Sequence, residues 1–317
     1  MLRVITIPRK IRIEIAAILR PLDTLLSLTP RVYYKSDSLF LELWTGASRI
    51  SPKMATTRLH GRDRIVSLAP SVTSILLELG AGGELVGVSK WCKDVAHVGR
   101  RPQVGDCWKI NIDEIMRLKP TMLIGSVPFA PDTVAKLLAQ PVTFVAINPR
   151  SLADIERDIR VLGRMANRAA PAENMIRKMK KSFEAVATAA RSTSAGKRPR
   201  VYCEAWPKPR ISSPPWVAEL VEIAGGKMVV APGQRVTDEQ VAAAKPDIIV
   251  LAWAATGNKA KPASALRNST WQNVPAVKNR HVFVIRDELL NTPGPPLMKG
   301  ATELLRIIQR AGTKGSE

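Results

Sequence analysis

Two pairs of stretches in this chain repeat one another, and that repetition constrains the fold more than any composition figure. "SILLELGAGGELVGVS" (74–89) matches "WVAELVEIAGGKMVVA" (216–231). "DEIMRLKPTMLIG" (113–125) matches "EQVAAAKPDIIVL" (239–251) when the two Lys-Pro pairs, Lys119-Pro120 and Lys245-Pro246, are superposed. In that register Asp113 falls on Glu239. Each stretch joins apolar residues at helical spacing to a short β-branched run, separated by Gly or Lys-Pro punctuation. A chain that contains this unit twice has to fold into two similar halves.

The rest of the chain fits that plan. "RIVSLA" (64–69), "LVGVS" (85–89), "TMLIGS" (121–126) and "VTFVAI" (142–147) read as strands. Between them lie helices: one after Pro70 and Ser71, read as a turn with a helix cap, "NIDEIMRLKP" with Asn111 as N-cap, and "PDTVAKLLAQ". Strands alternating with helices imply a parallel sheet covered on its faces, an α/β fold. From 151 to 193 apolar residues recur at helical spacing, interrupted only at Pro171, which predicts one long helix or two with a break. After the basic link "TSAGKRPR", alternation resumes with "RVYCEAW", "PWVAELVEIAGG", "KMVVA", "DEQVAAAKP", "DIIVLAW" and "HVFVI". The expected domains are an extension at 1–61, a first lobe at 62–150, a linking helix at 151–193 and a second lobe at 197–312.

The extension is basic and apolar without sustained periodicity. Arg12, Glu14, Arg20 and Asp23 break every apolar core that a signal peptide needs, so no clear export signal is read, and Met54 is a candidate start of translation. Lys and Arg outnumber Asp and Glu by 48 to 27, a net charge of +21, but the excess is spread along the chain rather than gathered in a stripe. No nucleic-acid partner is expected from such a spread. Three irregularly spaced cysteines, Cys92, Cys107 and Cys203, match neither a disulfide framework nor a zinc finger. "GAGG" (80–83) follows a helix rather than a strand, so it is not a dinucleotide fingerprint. Walker, G-x-S-x-G and H-E-x-x-H motifs are absent, and neither His60 nor His281 has a sequence-evident triad partner. No enzyme is expected.

Taken in order, "RIVSLAPSVTSILLELGAGGELVGVS", "NIDEIMRLKPTMLIG", the linking helix, "VTDEQVAAAKPDIIVLAW" and "NTPGPPLMKGATELLRII" resemble the helix-linked class of ABC-transporter substrate-binding proteins over residues 62–310. The cobalamin-binding branch is the closest fit. The resemblance implies two Rossmann-like lobes joined by one long helix, with a ligand cleft between them. It implies a transported ligand, such as cobalamin, haem or a ferric siderophore, and no required cofactor. A carboxylate on each lobe, here Asp113 and Glu239, would dock onto a permease. It further implies a monomeric protein in the periplasm or otherwise extracytoplasmic, with a cytoplasmic corrinoid carrier or sensor, or a basic nucleic-acid-associated module, as the alternatives that the missing export signal leaves open.

Ligands of doubly wound sheets sit beyond the carboxyl ends of the strands. Trp91 follows the "LVGVS" strand, where the cobalamin binders carry an aromatic residue. Cys107 occupies the next aromatic position of that pattern with Trp108 beside it, Trp206 follows the first strand of the second lobe, and Trp253 follows "DIIVLA". With Ser71, these form the expected ligand site, because flat ligands suit rigid indoles. Lys90, Lys109 and Arg210 are candidates for anionic groups of the ligand. "PGPPL" places Pro296 where the family carries a basic residue. Cys92, His97 and Cys107 are a candidate metal set, weighed against the plainer reading of buried thiols on a loop.

Overall fold

In the computed structural model, the described residues are 32–35, 38–41, 63–105, 109–193, 198–254 and 260–313. The chain divides into two compact units, Met1–Leu59 and His60–Glu317. In the first, β1 (Val32–Lys35) pairs antiparallel with β2 (Ser38–Leu41). The expectations for the remainder of 1–61, including Met54 and His60, lie outside the described residues, as do Cys107 and Trp108.

The first half of the larger unit runs β3 (Ile65–Ser67), α1 (Pro70–Glu78), β4 (Leu85–Val88), α2 (Ile112–Arg117), β5 (Met122–Ser126), α3 (Pro131–Leu138) and β6 (Thr143–Ile147). Its sheet has the order β4-β3-β5-β6, and every pairing is parallel. The second half runs β7 (Arg200–Pro207), β8 (Arg210–Ser212), α6 (Pro215–Ile223), β9 (Lys227–Met228), α7 (Asp238–Ala243), β10 (Ile248–Leu251) and β11 (Val282–Val284). There β9-β7-β10-β11 are parallel neighbours, the same order as in the first half. The short antiparallel strand β8 is an addition on β7, with no counterpart in the first sheet. The predicted strand "KMVVA" shrinks to two residues at β9, because β8 occupies the carboxyl-terminal half of the same edge.

Repetition extends to atomic detail. Arg64, at the foot of β3, donates from Nε and Nη2 to the carbonyls of Leu118 and Lys119, at the end of α2. Arg200, at the foot of β7, makes the same three bonds to Ala244 and Lys245, at the end of α7. Lys119 and Lys245 both adopt left-handed backbone, φ 47° and 41°, just before their prolines. The helix thus stops where the following Pro disfavours α geometry, and the freed carbonyls are taken by an arginine.

Between the halves lie α4 (Leu152–Met165) and α5 (Ala169–Thr193), two helices rather than one. The break precedes Pro171, which sits in the first turn of α5. It is made by Asn167 at φ 54°, with Asn167 N–H bonded to the Arg164 carbonyl and Arg168 N–H to that of Gly163. This is a Schellman ending with Asn in the left-handed position. A Cβ on Gly163 would lie 2.5 Å from the Ala172 Cβ, so the two helices cross at a point that only glycine allows. At 1.5 Å per residue, α5 is about 37 Å long.

The core explains why these elements hold together. Alternate strand residues face opposite sides: Ile65, Ile124, Val201 and Val250 join one apolar layer with α1, α4, α5, α6 and the carboxyl-terminal helix α8 (Leu297–Thr313). Val66, Leu123 and Ile115 form a separate cluster on the far face of the first sheet. Tyr202, Ile249 and Trp271 do the same on the second. One continuous layer therefore serves both lobes. No helix among the described residues is long and apolar enough to cross a membrane.

Candidate functional site

At the carboxyl end of the first sheet, Trp91 follows β4 and is half-buried, with the Lys90 ammonium 4.8 Å from its ring centroid. The turn that carries it is pinned from below by Cys92. The Cys92 Sγ is wholly buried, 3.0 Å from the donating Thr73 hydroxyl of α1 and 3.1 Å from the Ser89 hydroxyl. Burial pushes this thiol up from its ordinary value, against the pull of Ser89 and Thr73, so it stays neutral. His97, in contrast, is exposed. No three His, Cys, Asp or Glu side chains gather as a metal-holding set among the described residues. Ser71 lies buried inside the first turn of α1 and is not its cap; Ala69 holds the cap position with no side-chain bond.

At the carboxyl end of the second sheet, Trp206 is 37% exposed and donates its indole N–H to the Lys208 carbonyl at 2.9 Å. Trp253 follows the adjacent strand β10, half-buried, with its indole N–H 2.8 Å from Glu204 Oε1. Glu204 is wholly buried on β7 and also accepts from the Tyr202 hydroxyl at 2.9 Å and from Arg210 Nη1. Burial pushes its carboxyl up from the usual range, while Arg210, Trp253 and Tyr202 pull it back. Arg210, expected to meet an anionic ligand, is otherwise engaged. Its guanidinium bridges Glu204 and Asp238 and stacks 4.3 Å over Trp271.

Two further tryptophans, Trp216 and Trp271, are structural. Trp216 donates to the Leu290 carbonyl and Trp271 to that of Asp238. The segment after β11 joins the two carboxyl edges. Asn291 donates to the Ala252 carbonyl, beyond β10, while Gly294, at φ 144°, packs so closely on α1 that a Cβ would lie 3.2 Å from Ile75 Cγ1. Pro296 ends this segment, just ahead of α8.

Asp113 and Glu239 are both exposed and both occupy the second position of a first turn, α2 after Asn111 and α7 after Thr237. Asn111 Oδ1 accepts from the N–H groups of Asp113 and Glu114, and Thr237 and Gln240 form a reciprocal capping box. The Thr237 hydroxyl and a backbone N–H hold the Glu239 carboxyl below its usual value. Lys109, expected beside the ligand, instead lines an open groove with Asp113 and Lys136.

The model of the periplasmic binding protein family matches residues 65–289, most of the chain. This chain belongs to that family. An uncharacterized ABC transporter substrate-binding lipoprotein of Bacillus subtilis is 26% identical over 255 residues, covering 77% of this chain and 79% of the relative. The vitamin B12-binding protein of Vibrio parahaemolyticus is 23% identical over 262 residues, 80% of this chain and 91% of the relative. Among solved structures, the periplasmic heme-binding protein of Roseiflexus superposes with a TM-score of 0.68 at 22% identity, covering 79% of this chain and 99% of that one. As a periplasmic binding protein, the chain has the two-lobed α/β architecture that the resemblance implied.

Within this family architecture, sequence reasoning missed Glu204 and the Arg64–Arg200 pair. A lone Glu inside "RVYCEAW" carries a signal, a charge at an inward strand position, but its partner Arg210 is placed by β8, which no periodicity announced. The arginines carried a stronger one: Arg64 stands immediately before the first strand of its lobe and Arg200 opens the first strand of the other.

Proposed function

We propose that this protein captures a corrinoid, a haem or a ferric chelate between its two lobes and delivers it to an ABC permease, acting as a monomer outside the cytoplasmic membrane and without a catalytic step. The observation that carries this reading is the placement of Asp113 and Glu239: exposed carboxylates at the same position of equivalent helices, one on each lobe, each helix clamped by an arginine at its far end. The duplicated unit sets the two positions in register, and both copies keep an exposed carboxylate there, as a pair of docking contacts requires. The relatives support the ligand class, since they include vitamin B12-binding and heme-binding proteins. Exposed Trp206, and half-buried Trp91 and Trp253, offer flat apolar contact at strand ends. The ligand is cargo rather than a cofactor.

The test is a titration of the purified protein with cyanocobalamin, haemin and a ferric siderophore, followed by visible absorbance and tryptophan fluorescence. One of the three is expected to bind with a 1:1 end point, and Trp206→Ala to weaken it about tenfold, the loss of roughly 1.4 kcal/mol of stacking. Absence of binding by all three sinks the ligand class. For docking, Asp113→Lys with Glu239→Lys should leave that affinity unchanged while abolishing stimulation of the permease ATPase; an undiminished ATPase response would remove the docking role.

A further inference from the structure

The two lobes are copies, so the places where they differ chemically stand out. Superposing Arg64 on Arg200 puts Leu68 on Glu204, and superposing the helix caps Asn111 and Thr237 puts Ile112 on Asp238. In the first lobe Leu68 is buried in an apolar cluster that Ile112 also packs against. The second lobe has carboxylates at both points, bridged by Arg210 from β8, the strand that the first lobe lacks. An apolar pair therefore suffices to build this unit. Putting a wholly buried carboxylate in place of Leu costs desolvation that the Glu204–Arg210 ion pair only about offsets, so stability does not account for the array.

Geometry shows what the array connects. Glu204 Oε1 accepts from the Trp253 indole at 2.8 Å, and its other oxygen accepts from Arg210. Arg210 Nε donates to Asp238 Oδ1 at 2.6 Å, and Asp238 Oδ2 accepts from Asn268 at 3.1 Å. Asp238 is the first residue of α7 and the chain neighbour of Glu239. Every link from Trp253 to the start of that helix is a direct hydrogen bond. The Arg210 plane is further fixed by its stack on Trp271.

We infer that Glu204, Arg210 and Asp238 are positioning residues that tie the orientation of Trp253 to the first turn of α7, so that only the second lobe's docking carboxylate senses the ligand side. This rests on the reading above, in which ligand meets Trp253 and Glu239 docks. A ligand pressed on the Trp253 ring moves the Glu204 carboxylate, and the rigid Arg210 fork passes that shift to Asp238. The first lobe, with Leu68 and Ile112, has no such chain, so Asp113 stays silent.

The experiment uses the full-length protein and heteronuclear NMR of backbone and indole N–H groups. Without ligand, Glu204→Gln is expected to shift the Trp253 indole resonance and the Glu239 and Gln240 amides, and to leave Asp113 and Glu114 unmoved. An apolar variant, Glu204→Leu, Arg210→Met and Asp238→Ile, recreates the first lobe's apolar arrangement. Carrying Tyr202→Phe as well, so that no buried hydroxyl loses its acceptor, it should keep or raise the melting temperature yet bind the ligand that the wild type binds about tenfold more weakly. Unmoved Glu239 and Gln240 amides in Glu204→Gln, wild-type affinity in the apolar variant, or failure of the apolar variant to fold would each overturn the inference, the last by making the array a stability element. If the wild type binds none of the three ligands, the proposed function falls, whereas the ligand-free resonances still decide the array.

Discussion

Cys92 and Cys203 show how a residue's chemistry is set by where it is placed. Cys203 is wholly buried on β7 and burial pushes its thiol up to about 12. Cys92 is raised by the same cause. The thiolate is the reactive form, so both are unreactive at neutral pH by protonation as well as by access. In a Cys107→Ala variant, a maleimide or aromatic disulfide reagent at pH 8 should find no fast thiol in the native protein and two in denaturant; a fast native thiol would contradict the burial of Cys92 or Cys203. Residue-scale features were legible in the sequence where the interaction is local. Asn111 bonds the amides two and three positions on, and its capping role followed from type and spacing. Arg210 meets partners 6 and 28 positions away, so its engagement could not be read from its neighbours. Trp253 was legible as a strand-end residue, but the bond that orients its ring was not.

Among the elements, the helices α2 and α7 are too short, at six residues each, to persist on propensity alone. They are held by caps at one end and an arginine fork at the other. Arg200→Ala removes three bonds to the α7 carbonyls and is expected to cost about 1–3 kcal/mol in chemical denaturation, since charge-assisted bonds contribute about that much. Arg64→Ala should cost less, because Arg64 is exposed and its bonds compete with water. Arg200→Lys should recover little, because a point charge cannot fork across two adjacent carbonyls. Equal stability of wild type and Arg200→Ala would show that the caps alone hold the helix. Element type was legible for nearly every long segment, since periodicity and Lys-Pro or Gly stops are written in the chain. The exceptions have tertiary causes. β8 is a three-residue return strand that exists by pairing with β7, and the linking segment breaks at Asn167 rather than at Pro171, because a proline in a first turn is tolerated.

For the larger unit as a whole, the decisive feature is the apolar layer that both lobes share. Ile65, Val72 and Ile124 of the first lobe, Ile159 and Met175 of the linking helices, and Val217 and Ile248 of the second all belong to one cluster. The sequence displayed the apolar stripe of 151–193, but not that one stripe would serve two sheets. Hinged proteins pivot on a few loop residues between separate cores, so that domains rotate without exposing apolar surface. Here a comparable rotation would pull a packed layer apart, at about 25 cal/mol for each Å² exposed, and a few hundred Å² would already cost several kcal/mol. The segment that closes the two carboxyl edges adds to the resistance, since Gly294 is seated closely against Ile75, where a Cβ would lie 3.2 Å from Cγ1. Ligand entry must then be served by side chains and by loops at the strand ends, with little movement of the lobes. Small-angle scattering of the full chain, alone and saturated with the ligand found by titration, should give radii of gyration within about 1 Å of each other. A larger contraction on binding would mean that the shared layer slides or opens, and that the two lobes move as separate bodies.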